Sequence, residues 1–167
     1  VIDSVLDNAG CFAAGSLDSV ELVVNDTISD FTFTASADSI CEGDAIDLTA
    51  TVVSGGTAPF DFYFTGLADS LGASSPLNIN LVPPTGSNSY VLDSIVDANG
   101  CGVTVDSTET VVVSPLPTAT LVRLTPPGSL CEGENVSFRI DLTGSGPWTM
   151  YFDSAGTKIT YTVSGTD

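Results

Sequence analysis

Histidine is absent from this 167-residue chain, and only Arg123, Arg139 and Lys158 carry positive charge. The first absence removes the usual general base near neutral pH and the commonest nitrogen ligand for a metal. The second, set against 21 acidic residues, leaves a formal net charge of −18, which repels nucleic acid and anionic lipid surfaces. No apolar run approaches the roughly 20 residues that a membrane-spanning helix needs, and the first residues form no charged-then-apolar leader. Membrane insertion is therefore not expected of this segment, and any export signal or anchor is expected outside it. No Gly-x-Ser-x-Gly elbow, phosphate loop or helical apolar period occurs. Neither catalytic residues nor a bound cofactor are expected, so the chain reads as non-enzymatic.

What is present is apolar material: hydrophobic residues make up 43% and charged residues 14%, which suits packed cores and not a disordered acidic tail. Four cysteines in a Ser/Thr-rich, lysine-poor chain point to an oxidising, extracellular setting. Their placement is periodic. Asp7-Asn8-Ala9-Gly10-Cys11 returns as Asp97-Ala98-Asn99-Gly100-Cys101, and Cys41-Glu42-Gly43 returns as Cys131-Glu132-Gly133, each 90 positions later. A period shared by two unrelated local patterns marks a tandem array of one domain type.

Residues 45–53 alternate, with Ile46, Leu48, Ala50 and Val52 on one face, as a half-buried strand does. The same alternation recurs at Val136, Phe138, Ile140 and Leu142. Further strands are expected at 31–40, 60–65, 76–82, 89–96 and 103–113, rich in Val, Thr, Phe and Tyr and bounded by turn residues. Asn99-Gly100 is a type I′ hairpin signal, and residues 83–88 read as a surface loop. Six or seven short strands within one period describe an all-β fold of immunoglobulin-like β-sandwich repeats in tandem. The expected division is 1–25 as the last two strands of a preceding repeat, 26–114 as a complete repeat, and 115–167 as the N-terminal part of a following one. The connections Asn25-Asp26-Thr27 and Ser114-Pro115-Leu116-Pro117 are too short to be flexible tethers. Repeats joined in this way stack as a semi-rigid rod.

Three segments carry a resemblance. They are Cys41-Glu42-Gly43-Asp44 before Ile46-Asp47-Leu48-Thr49-Ala50, Thr143-Gly144-Ser145-Gly146-Pro147-Trp148-Thr149, and the run from Tyr90 to Cys101. Together they resemble the immunoglobulin-like/PKD-like repeats of giant Bacteroidota surface proteins. The resemblance implies type IX secretion and display as an adhesin or filamentous appendage that serves attachment, gliding or capture of prey and surfaces. Partners implied are neighbouring repeats of the same chain, other copies in a homo-oligomeric filament, and host, prey or surface glycans.

The cysteines raise a geometric question. A bond between Cys41 and Cys101 would join opposite ends of such a sandwich, roughly 20 to 30 Å apart, whereas a disulfide needs Cα atoms within about 7 Å. Links between repeats are therefore expected for Cys11, Cys41, Cys101 and Cys131, with free thiols as the alternative. The tripeptide Asp-Ser/Thr-apolar/Thr, which resembles the O-glycosylation signal of exported Bacteroidota proteins, implies sugars on Ser4, Ser19, Thr27, Ser39, Ser70, Ser94, Ser107 and Ser154. Its bland counterpart is strand alternation generating such triplets from composition.

Glu42, Asp44 and Asp97 are weak calcium candidates, since no Asp-x-Asp-x-Asp-Gly loop supplies the six to eight oxygens that calcium takes. Trp148, Met150 and Phe152 read as a core stripe, and Tyr63 and Tyr151 as outward aromatics. The leading expectation is a structural rod. The alternatives are a glycan- or cell-surface-binding module and an accessory domain of a secreted hydrolase.

Overall fold

The computed structural model describes residues 2–125, 128–129, 131–154 and 156–165. All regular structure among them is strand. A hairpin of β1 (Ile2–Leu6) and β2 (Phe12–Asp18) comes first, and residues 19–29 belong to no strand. There follow β3 (Asp30–Ala35), β4 (Ser39–Cys41), β5 (Ile46–Ser54), β6 (Phe60–Thr65), β7 (Ser70–Ala73), β8 (Leu77–Leu81), β9 (Gly86–Asp97) and β10 (Gly102–Ser114). Last come two antiparallel pairs, β11 (Ala119–Arg123) with β12 (Phe138–Leu142) and β13 (Trp148–Ser154) with β14 (Thr157–Val163).

The eight central strands form two sheets, one ordered β3-β5-β8 and the other β4-β10-β9-β6-β7. Neighbours are antiparallel except β4, which runs parallel to the end of β10. Alternation sets what each sheet buries. Strand β6 turns Phe60, Phe62 and Phe64 inward, and β5 contributes Ile46, Leu48 and Ala50 from the facing sheet. Phe33 and Phe64 meet across the two sheets with ring centroids 5.9 Å apart. Phe62, Leu48, Leu92, Ile95 and Val111 are fully enclosed, each worth about 1.5–3 kcal/mol by its removal from water.

Strand β9 contains a bulge that this core requires. Its register against β6 shifts between the pairs Tyr63↔Ser94 and Phe64↔Leu92, leaving Asp93 as the extra residue. A bulge of this kind resets which side chains point inward, so both Leu92 and Ile95 reach the core while Ser94 is only half-buried.

Three expectations need correction. The strand expected at 31–40 is two strands, because Ser36 breaks it. Ser36 donates its N–H to the Asp47 carbonyl and accepts the Asp47 N–H on its hydroxyl, ending β3. The chain then crosses to the other sheet, where Val112 N–H meets the Asp38 carbonyl. The loop expected at 83–88 ends earlier, since Gly86–Asn88 already pair with β10 in β9. The segment from Thr143 to Thr149, expected in a strand like that of 60–65, is strand only at Trp148 and Thr149 of β13, and residues 143–147 lead into it. Strand β7 was not anticipated. It is held against β6 largely by carboxylates, with Asp61 accepting Gly72 N–H at 2.6 Å and Asp69 accepting Phe64 N–H at 2.9 Å.

The contrast between Leu48 and Phe138, one period apart, yields a test. Leu48 is fully enclosed and Phe138 is 50% exposed. Leu48→Ala should cost the central sandwich about 2–5 kcal/mol in denaturant unfolding, and Phe138→Ala should leave the same transition within about 0.5 kcal/mol. Equal losses would contradict this placement of the core.

Candidate functional site

The two cysteine signatures are turns, and each repeats its geometry. Between β9 and β10, Gly100 N–H donates to the Asp97 carbonyl and Asp97 N–H to the Cys101 carbonyl, both at 3.0 Å. Gly100 has φ 81°, whereas Asn99 does not enter the positive-φ region. The loop is therefore a type I turn closed by a left-handed glycine, not the expected type I′ turn. Between β1 and β2, Gly10 and Asp7 make the same two bonds at 3.1 Å, with Gly10 at φ 82°.

The aspartate explains the choice of turn. Asp97 Oδ1 accepts the N–H groups of Asn99 at 2.9 Å and Cys101 at 2.8 Å. Asp7 Oδ1 accepts those of Ala9 and Cys11 at the same two distances. A short carboxylate folded back on its own loop satisfies donors that strand pairing leaves over. Asp97 also accepts Thr57 N–H at 2.9 Å, and the Asn99 amide donates to the Thr57 hydroxyl at 3.0 Å, fastening the hairpin to the loop before β6.

Among the described residues, Asp97 is the buried charged side chain. Burial pushes its pKa up, but the N–H groups of Cys101, Thr57 and Asn99 and the Asn99 side chain outweigh that and hold the carboxyl below its ordinary range.

At the other signature, Cys41-Glu42-Gly43-Asp44 closes with Asp44 N–H on the Cys41 carbonyl at 3.1 Å, and Gly43 has φ 91°. Positive φ at the third position makes this a type II turn. Asp44 in return accepts Cys41 N–H at 3.3 Å. One period later Glu134 N–H reaches the Cys131 carbonyl at 3.1 Å, Gly133 has φ 90°, and Glu134 accepts Cys131 N–H at 2.8 Å. In all four signatures, then, a turn carboxylate holds the cysteine's own backbone N–H. The acidic fourth residue of Cys-Glu-Gly-Asp and Cys-Glu-Gly-Glu was the available signal for this role.

The two turns of the central sandwich occupy opposite poles. Cys41 lies opposite Ser114 at the end of β10, and Cys101 directly precedes the start of β10. Thirteen residues of β10 separate them, a span of about 40 Å at about 3.4 Å per residue. A disulfide within the sandwich is thereby ruled out. The four thiols are free in this structure, Cys101 half-buried and Cys11, Cys41 and Cys131 exposed.

At the Cys41 pole the chain also leaves the sandwich, and Glu42 braces the exit. Its N–H donates to the Ser114 carbonyl at 2.8 Å, and its carboxylate accepts Leu116 N–H at 3.4 Å. Entry lies at the other pole, where Ile28 is buried and sits close to Gly56 and Phe60.

The calcium candidates are split between these poles, with Glu42 and Asp44 at one and Asp97 at the other, each accepting a backbone N–H. Among the described residues no group of three or more His, Cys, Asp or Glu could hold a metal ion. Of the glycosylation candidates, Ser4, Ser19, Thr27 and Ser39 are exposed, and Ser70, Ser94 and Ser107 are half-buried. The side chain of Ser154 lies outside the described residues. Five of the preceding aspartates, Asp18, Asp26, Asp69, Asp93 and Asp153, accept hydrogen bonds from nearby backbone or hydroxyl groups, a local reason for aspartate at those positions.

Trp148, Met150 and Phe152 share one face of β13 and, with Leu121, Ile140 and Leu142, line an open groove of about 620 Å³. Tyr151 also borders this groove and is 74% exposed. No family model matches this chain, and neither do curated proteins or solved structures.

The Asp97 carboxylate gives a pH-dependent prediction. Its folded pKa is depressed, so its stabilisation is present above the ordinary carboxylate pKa and is lost as pH falls through the lower, folded value. Asp97→Asn should therefore destabilise the sandwich at neutral pH and flatten the acid limb of its stability profile. Urea unfolding at a series of pH values reads this directly, and parallel acid limbs for the two proteins would contradict it.

Proposed function

We propose that this chain is a structural segment of an extracellular adhesin or filamentous surface appendage, a rod of immunoglobulin-like sandwiches whose role is mechanical and non-catalytic. The observation that carries the reading is the polar placement of the cysteine turns. Cys41 stands beside the chain exit and Cys101 at the far pole, so each sandwich presents one braced cysteine to each neighbour in a head-to-tail array. In the proposed array, Cys41 bonds the hairpin cysteine of the following repeat, and Cys101 the turn cysteine of the preceding one.

Three further features favour a stiff spacer. Pro115 and Pro117 restrict φ directly after β10, and Glu42 ties Leu116 back to the sandwich. A net charge of −18 keeps neighbouring threads apart in dilute salt and weakens in strong salt. Export by the type IX route and display on a cell surface belong to the same proposal, as does O-glycosylation at the exposed Ser19, Thr27 and Ser39.

Electron microscopy of the native assembly tests the rod. Beads repeating at about 40 Å, the length that β10 sets at about 3.4 Å per residue, are expected, with straight segments that become flexible on reduction. Compact particles without an axial repeat would overturn the reading.

A further inference from the structure

Given the junctional disulfides of the proposed rod, on which this rests, we infer that tension runs along two staggered covalent lines that bypass the packed cores, so that the oxidised rod cannot lengthen by unfolding. Strand β10 runs from Gly102, beside Cys101 at the entry pole, to Ser114 at the exit pole. The β3–β4 segment crosses the sandwich in the same direction, since Asp30 follows the entry at Ile28 and Cys41 ends opposite Ser114. The two lie side by side at the exit pole, where Val112↔Ser39, Val113↔Ile40 and Ser114↔Cys41 pair in parallel. Every other strand of the sandwich, β5 to β9, lies between Cys41 and Cys101 in the chain.

Cys131 follows Cys101 by 30 positions. That stretch holds β10, the connection from Ser114 to Pro117, and β11, so it crosses one repeat along β10 and the next along the counterpart of β3–β4. Fully extended it spans about 100 Å at about 3.4 Å per residue, and two repeats of about 40 Å take up most of that length. A disulfide from Cys131 to the hairpin cysteine of the following repeat starts the same course again, two repeats further on. Tension therefore passes from disulfide to nearly straight chain to disulfide. The 60 positions from Cys41 to Cys101, with Leu48, Phe62, Leu92 and Ile95 of the core, lie off this path. In each sandwich β10 belongs to one line and β3–β4 to the other, which makes two lines offset by one repeat.

Each junction forms as two thiols give up two protons and two electrons to an external oxidant such as molecular oxygen. A dithiol that supplies two electrons and two protons restores both thiols and is itself oxidised to a disulfide. Reduction thereby turns an inextensible cable into a series of sandwiches that each unfold under load.

Stretching single native threads in an optical trap reads the extension directly. In air-saturated buffer the force should rise without steps and the thread should lengthen by no more than about a quarter, since about 100 Å of chain spans about 80 Å of rod. After dithiothreitol, each sandwich should open in a step of about 260 Å, the extended length of a 90-residue period less its folded length of about 40 Å. With two lines present, Cys101→Ser in one repeat should leave the oxidised thread without steps. Cys41→Ser and Cys101→Ser together open two consecutive junctions and should add one step of about 200 Å, the extended length of the 60 positions between them. Steps in unmodified oxidised threads whose junctional bonds are confirmed by peptide mapping, or no steps after reduction, would overturn the two lines and leave the rod standing. A map without junctional bonds would overturn both.

Discussion

A turn carboxylate that accepts a cysteine's backbone N–H is the contact on which both ends of the central sandwich depend. At one pole Asp97 gathers three N–H groups from two segments, the hairpin itself and Thr57 in the loop before β6. At the other, Asp44 and Glu42 hold the turn and the departing chain. In a protein with 21 acids and three bases, ion pairs cannot supply such bracing. One salt bridge appears among the described residues, Arg139 with Asp141 at 2.9 Å, and it is exposed, where such pairs contribute little. Backbone N–H groups take the place of the missing cations, which lets a strongly acidic chain still fix its loops.

Between the poles, stability rests on apolar packing across two sheets. The ladder Phe60, Phe62, Phe64 from β6 meets β5, β9 and Phe33, and the bulge at Asp93 brings Leu92 and Ile95 to the same core. The length of β10 then sets the distance between the braced turns. Core and poles are thus separate devices, one supplying the folding energy and the other fixing where the cysteines stand. In β11–β14 the same turn survives at Cys131, while Trp148, Met150 and Phe152 remain only half-buried. Turn geometry is local and needs no completed core.

That distinction also explains what could be read from the sequence. The alternation at 46–54 and 60–65 is legible because each strand has one clearly apolar face. The 90-residue period is legible because the turns that carry it are self-contained. The break at Ser36 is not, since alternation runs on from Phe31 and Phe33 through Ala35 and Ala37, and what divides the strand is Asp47 on a neighbouring one. Strand β7 escapes notice because its pairing leans on Asp61 and Asp69 and not on its own side chains. Asn99-Gly100 suggests a tighter turn than forms, because Asp97 gains two N–H donors in the longer one. Its bond to Thr57, 40 positions away, cannot be seen in any local pattern.

Disulfide mapping of the native assembly by non-reducing peptide analysis bears most directly on the central claim that the braced cysteines are junctional. Each turn cysteine of the Cys41 type should be bonded to a hairpin cysteine of the Cys101 type from an adjacent repeat. A peptide joining Cys41 to Cys101 of the same sandwich, or free thiols throughout, would contradict it.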